Sequence, residues 1–248
     1  MDYKHIAEAG MRIGVFSDIH GNVAALDAVI SDMREAGVEI FACAGDLVVF
    51  GPRPVEVLQR LNAIPALVLV RGNTDRWLGM VRERPVGPFD ERVVGKVRPA
   101  VAWTIDRLPD DSVSIISGLP GEAEIESEGV RIRIGHASPG SDGSGIDADT
   151  DVDAMFEGFS AHAFACGHTH RPLVRKAGDV VVVNDGSAGY PYDGVPRPSW
   201  ALLDVAGGRV EAGIRRVDYD RGAVMKDIAA VGMPMGELFA RRIDTAVM

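Results

Sequence analysis

Three short apolar runs in the first 70 residues, at 12–17, 39–43 and 66–70, alternate with two stretches of helical spacing. A strand, a helical crossover and a second strand in one sheet run parallel, because the crossover carries the chain back to its starting edge. The opening of this chain is therefore restricted to a mostly parallel layer with helices packed over it. The first helix is predicted over 22–36, with Val23, Leu26, Val29, Ile30 and Met33 on one stripe, Asn22 placed to cap it and Gly37 to end it. The second is predicted over 54–61, opened by Pro54.

The second half differs in kind. A proline- and glycine-broken stretch at 84–99 overlaps the start of a helix predicted over 98–107. Short apolar runs at 113–116, 122–126, 130–135, 162–166, 172–176, 180–184, 200–205 and 209–217 follow, divided by turns such as Glu128-Gly129, Gly178-Asp179 and Gly207-Gly208. That rhythm predicts antiparallel hairpins. Parallel units followed by hairpins give an α/β fold class: two mixed β-sheets packed as a sandwich with flanking helices. The expected organisation is an extension at 1–10, a domain at 11–220 and a helical tail at 221–248. Residues 138–149, polar and glycine-rich, read as a surface loop.

The chain has 248 residues, 46% of them hydrophobic and 25% charged, a balance that fits one globular domain, two at most. It has no apolar run of roughly 18 residues to cross a bilayer, and its first residues lack the basic-then-apolar order of a signal peptide. A cytoplasmic location is the expectation. Cys43 and Cys166 each end an apolar run and read as reduced, buried strand residues. A net charge of −10 repels a nucleic-acid polymer, so any phosphate-bearing substrate must be drawn by local positive charge.

The polar residues after the apolar runs say where that charge comes from. Asp18 and His20 follow the first run, with alternation placing both on one side; Asp46 follows the second and Asn73 the third; His136 follows a later run, and His168 and His170 another. Strand ends are where open α/β sheets gather their ligand sites. Singly, each residue has an ordinary reading as a cap or turn. Together they hold four of the six histidines in the chain, which chance explains poorly. Imidazole, carboxylate and amide oxygen without thiolate suit ions such as Mn, Fe, Zn, Ni or Co better than a closed structural zinc site. Seven donors exceed what one ion with an open position can use, and fit two ions sharing a bridge.

In order, Asp18-Ile19-His20, Gly45-Asp46, Gly72-Asn73, Gly135-His136 and Gly167-His168-Thr169-His170 resemble the blocks of the calcineurin-like metallophosphoesterase superfamily. The FSDIHGN opening, GDLVVFGP and VNDGSAGYP look like its compact bacterial phosphodiesterase branch. The resemblance implies that Asp18, His20, Asp46 and His170 hold one divalent ion and Asp46, Asn73, His136 and His168 a second, with Asp46 bridging; manganese is the first choice, with Fe, Zn, Ni, Co or Mg as others. It also implies phosphodiester hydrolysis by a metal-bridging hydroxide, with Asp46 and Asn73 as its catalytic ligands. A small phosphoester would be the substrate, with no membrane partner. A homo-oligomer stays open.

One block departs from the pattern. Many members carry a histidine directly after the asparagine, taken to protonate the leaving alkoxide; here Thr74 stands there, and a hydroxyl is too weak an acid for that task. Thr74 and Arg76 are candidate substrate contacts, with Arg71 beside them, and Tyr190 and Tyr192 are candidates for the wall of a leaving-group site. The alternatives are a phosphomonoesterase or phosphoprotein phosphatase using the same centre. A protein-interaction scaffold, as in the retromer subunit of this fold, would have lost ligands that this chain keeps.

Overall fold

The computed structural model describes residues 10–83 and 88–248. The extension expected before residue 10 lies outside them, as do residues 84–87.

Two five-stranded sheets face each other. The first is built around β1 (Met11–Phe16), β2 (Ile40–Cys43) and β3 (Leu67–Leu69), which run parallel, and the second around β5 (Val130–Gly135) and β6 (Ala163–Cys166). Strand alternation makes the sandwich. In β1, Ile13 and Val15 point between the sheets to meet Ile132, Ile134 and Ala165, while Phe16 points outward under the helices. Because both faces of the central strands are covered, β2 and β6 are buried at every position, as parallel strands require.

Between β1 and β2, α1 (Val23–Glu35) starts where Asn22 Oδ1 accepts the Ala25 N–H at 3.1 Å and buries Leu26, Val29, Ile30 and Met33 on one stripe. It stops at Gly37, whose φ of +74° a side chain would resist. Helix α2 (Pro54–Asn62) opens on its proline as expected.

The expectation fails at three places. The run at 113–116 is not a strand but part of α5 (Ser112–Ser117), preceded by α3 (Asn73–Glu83) and α4 (Pro88–Ile105). Val113 and Ile116, three apart, are buried while Ile115 is 65% exposed, a helical rather than an alternating pattern. The helix expected over 98–107 is the last part of α4, which starts at Pro88 and runs through Pro99 to Ile105; a proline there removes one donor without ending the helix. Helix α3, opened by the candidate ligand Asn73, had no strong periodic signal.

The second half is also not all hairpins. Antiparallel pairs join β4 (Glu122–Ser127) to β5, β7 (Leu173–Ala177) to β8 (Val180–Asn184), and β9 (Ser199–Ala206) to β10 (Arg209–Arg216). Yet β6 runs parallel to both β5 and β8, giving this sheet its own parallel centre, with the short α6 (Val152–Met155) in the crossover. The last hairpin leaves that sheet and β9 pairs with β1, so the orders are β10-β9-β1-β2-β3 and β4-β5-β6-β8-β7. After it, α7 (Arg221–Val231) and α8 (Gly236–Thr245) pack as a pair that encloses Tyr190 with Val224, Ile228, Phe239 and Ile243.

Candidate metal centre

The parallel strands of both sheets end on one side, and the loops there bond to each other. The Asp18 N–H donates to Gly45 O at 2.9 Å, the His20 N–H to Asp46 O at 3.1 Å, and the Gly167 N–H to His136 O at 2.9 Å. These crossings pull the polar side chains after β1, β2, β5 and β6 into one cluster with Asn73.

Two groups result. In one, His20 Nε2 lies 3.3 Å from His170 Nε2 and 3.7 Å from both Asp18 Oδ1 and Asp46 Oδ2, while His170 Nε2 is 3.2 Å from Asp18 Oδ1. In the other, Asn73 Oδ1 is 2.9 Å from His136 Nε2 and 3.0 Å from His168 Nδ1, and His136 Nε2 is 3.6 Å from Asp46 Oδ1. Asp46 thus turns one oxygen to each group. All seven sequence candidates are present, and none is remote.

Simple strand alternation does not bring Asp18 and His20 together. Both lie past the end of β1 in left-handed backbone, with φ of 52° and 48°, and Asp46, His168 and His170 share that conformation. Side-chain-bearing residues seldom adopt it, and where they do the strain is held by surrounding structure at sites of function. Gly72 explains how the strands come close enough: a Cβ there would lie 2.1 Å from Asp46 Oδ1.

The hydrogen bonds fix which nitrogens face inward. Nδ1 of His20 lies 2.9 Å from Val49 O, that of His136 2.7 Å from Ala44 O and that of His170 2.5 Å from Tyr190 O. A carbonyl only accepts, so each Nδ1 carries the proton and each Nε2 presents a lone pair to the cluster. His20 and His170 then oppose lone pairs at 3.3 Å, and Asn73 Oδ1 opposes that of His136 at 2.9 Å. Asp18 Oδ1, fully buried, has no hydrogen-bond partner. Acceptors converging on acceptors without protons between them repel, and a cation in each group removes the conflict. The donor set therefore fits divalent ions.

Titration behaviour agrees at His20 and His168: burial pulls the His20 imidazolium down to about 4 against the pull of Asp46, and burial lowers His168, so both rings are neutral at pH 7. At His136 burial is outweighed by the charges of Asp46 and Asp18, which raise the imidazolium in the metal-free chain and draw the positive charge that an ion would supply. Asp18 is held well below the usual carboxylate range because the histidines, His170 foremost, outweigh its burial.

A supporting layer, not singled out from the sequence, holds these side chains. Asp75 Oδ2 accepts the N–H groups of Asp46 at 2.8 Å and Gly72 at 2.9 Å, and its Oδ1 that of Leu47 at 3.0 Å. Ser17 Oγ lies 2.5 Å from Asp18 Oδ2 and 2.7 Å from Asp185 Oδ1. Ser187 Oγ donates to Asp18 O and accepts from the N–H groups of Gly189 and Tyr190.

The substrate-contact expectations fare unevenly. Arg76 spends its guanidinium on Asp142 of the 138–149 loop, at 2.7 and 3.0 Å, so it ties that loop to α3. Thr74 donates its N–H to Asp46 Oδ1 at 2.9 Å, and its buried hydroxyl has no partner. Arg71 reaches Ser117 O. Tyr190 is interior, its hydroxyl on Phe50 O, whereas Tyr192 stacks on His170 with centroids 4.3 Å apart.

Residues 11–208 match the calcineurin-like phosphoesterase superfamily domain. The chain belongs to that superfamily. Membership makes it a phosphoesterase, a hydrolase in a metal-dependent family. Among curated relatives it is 28% identical over 224 residues to an uncharacterized protein of Methanocaldococcus jannaschii, covering 84% of this chain and 88% of that one. It is 24% identical over 204 residues to phosphodiesterase YfcE of Escherichia coli K12, covering 78% and 88%. The crystal structure of a metallophosphoesterase from Sphaerobacter thermophilus superposes with a TM-score of 0.76 at 26% identity, over 96% of this chain and 99% of that one. A hypothetical protein from Pyrococcus horikoshii shares the fold, with a TM-score of 0.79 at 19% identity over 94% and 97%. No helix among the described residues of this phosphoesterase is long and apolar enough to cross a membrane.

Proposed function

We propose that this phosphoesterase is a dinuclear phosphodiesterase acting on small, soluble diesters. The observation that carries the reading is Asp46, whose two oxygens face two separate groups of lone pairs. Asp18, His20, Asp46 and His170 would hold one ion, and Asp46, Asn73, His136 and His168 the other. When bound, two divalent ions supply a water that ionises near neutral pH and positive charge for the phosphoryl oxygens.

The chain's own residues set the charge of the site. Asp18 and Asp46 are the only carboxylates in the ligand set, and Asn73 is neutral, so the loaded centre stays positive and attracts a phosphate anion. The carbonyls of Val49, Ala44 and Tyr190 fix the imidazoles of His20, His136 and His170 in the tautomer that coordinates. The likeness to a relative named phosphodiesterase favours diesters over the monoesters or phosphoproteins that the same centre could take. Manganese suits the mixed nitrogen and oxygen donors, with Fe, Zn, Ni, Co or Mg as the other choices. The net charge of −10 argues against a nucleic-acid polymer and agrees with a cytoplasmic enzyme on small substrates.

The test is to strip the protein with a chelator, restore Mn, Fe, Zn, Ni, Co and Mg singly, and compare aryl diester with aryl monoester. Two ions per chain and a preference for the diester are expected. Turnover untouched by chelation, or inactivity with every ion, would remove this reading; the latter would leave a binding scaffold.

A further inference from the structure

Helix α8 lies beyond residues 11–208, the part that matches the superfamily domain, yet its side chains reach the metal centre. Phe239 stacks on Phe50 with centroids 5.1 Å apart, and Phe50 in turn lies 5.6 Å from the His20 ring. One turn further along α8, Arg242 sets its guanidinium 5.3 Å from the centroid of Tyr192 and 5.6 Å from that of Phe239. Tyr192 is the ring that stacks on His170, at 4.3 Å and 9°. Arg242 is thus one aromatic ring away from a candidate ligand.

Its surroundings are unusual for an arginine in an acidic chain. Arg53, Arg60, Arg76, Arg133 and Arg215 each face a carboxylate. Among the described residues Arg242 makes no ion pair. Its guanidinium lies over the Tyr192 ring, and its Nε is buried with no acceptor. Two rings offset part of the cost of desolvating this cation, but neither gives Nε an acceptor. The exposed Arg171 donates its Nε to the Tyr192 carbonyl at 3.1 Å and, among the described residues, likewise makes no ion pair. Asp193, which follows Tyr192 in the chain, is taken up by Arg216. Among the described residues neither Arg242 nor Arg171 is paired with an acid, so both leave positive charge beside the candidate centre.

Resting on the reading of a metal-loaded phosphoesterase site, we propose that Arg242, with Arg171, forms a subsite for a second anionic group of the substrate. The substrate class is a phosphoester whose leaving group carries a further carboxylate or phosphate, with its body lying along Tyr192. With the Tyr192 ring between it and His170, Arg242 is placed for a remote group rather than for the reacting phosphoryl oxygens. It is a specificity-determining residue.

Binding of two non-hydrolysable probes tests this without turnover. The metal-loaded protein is titrated calorimetrically with benzylphosphonate and with 4-(phosphonomethyl)benzoate, which adds one carboxylate across the ring. The carboxylated probe is expected to bind at least tenfold tighter, with the ratio falling as salt rises. The ratio should collapse toward one in Arg242→Gln and persist in part in Arg242→Lys, which keeps the charge. Equal affinities in the unaltered protein, or no binding of the carboxylated probe at millimolar concentration, would overturn the subsite whether or not any variant folds. A ratio unchanged in Arg242→Gln would also overturn it. Turnover of an aryl diester whose leaving group carries no further charge, the test of the preceding reading, does not enter this result, so the two can fail separately.

Discussion

The carboxylate of Asp75 accepts the backbone N–H of Asp46 at 2.8 Å, so the residue that faces both halves of the metal centre is held from behind by a second acid. Two further backbone donors, Gly72 and Leu47, complete its shell. Burial and then the charge of Asp46 push the Asp75 carboxyl up to about 7 in the metal-free protein. An Asn at this place would turn an N–H group against at least one of the three donors. A buried donor left without an acceptor costs about 1–3 kcal/mol, and loss of a residue that orients a ligand weakens metal binding about 10–100-fold. Asp75→Asn is expected to show both, read by thermal melting and by metal titration. A variant that binds metal as tightly as the parent would show that the Asp46 loop holds itself.

Metal loading should be visible as stability. The metal-free cluster opposes lone pairs at 3.3 Å between His20 and His170, and an ion bound only by the folded chain stabilises it by about 2.7 kcal/mol at 100 times its Kd. For a chain of this size that is a rise of roughly 5–10 °C in Tm. His20→Ala and His136→Ala each remove a donor from a different group, so each should lower the stoichiometry measured by elemental analysis from two ions toward one. Asp46→Asn, which removes charge from both groups, should lower it further. Equal loss in all three variants would point to a single, shared ion.

Much of this candidate site was legible because each candidate ligand combines a strand end with a residue type suited to metal. Asp18, His20, Asp46, Asn73, His136, His168 and His170 need no knowledge of contacts to be noticed. Asp75 gave no such signal: its partners are backbone N–H groups, which have no sequence signature, and an acid in the first turn of a helix is ordinary. The Ser17–Asp185 contact joins residues 168 positions apart, beyond any local pattern. Helix α5 was misread because Val-Ser-Ile-Ile has strand composition, and only its burial reveals the period. Arg242 sat in a segment read as a plain tail, since cation–ring contacts leave no spacing rule.

Ser17 supplies one hydroxyl proton to two acceptors, Asp18 Oδ2 at 2.5 Å and Asp185 Oδ1 at 2.7 Å. One contact therefore needs a proton on a carboxyl. That carboxyl is Asp185, pushed well above the usual carboxylate range by burial and then by the charge of Asp18. The native state binds a proton that the unfolded chain releases above about pH 4, so this group's contribution to stability declines as pH rises from there toward its folded value. An amide can donate in the same place and does not titrate. In metal-free protein, Asp185→Asn should gain on the parent as pH is raised from about 4, as measured by urea unfolding. A difference that stays flat as pH rises would assign the proton elsewhere.

The absence of histidine after Asn73 sets the last expectation. A positioned general acid contributes about 10²–10⁴-fold when the leaving group is a poor one. Thr74 cannot fill that role. Its N–H is committed to Asp46 Oδ1 at 2.9 Å, and its hydroxyl holds its proton too tightly near neutral pH. Neither nearby arginine substitutes, because Arg76 is paired with Asp142 and guanidinium does not surrender a proton at this pH. Leaving groups must therefore depart as anions, and their own acidity should govern the rate. In a series of diesters under conditions where chemistry is limiting, aryl esters should exceed alkyl esters by at least about 10²-fold, with the rate falling steadily as the leaving-group pKa rises. A flat series would mean that another group on this chain delivers the proton.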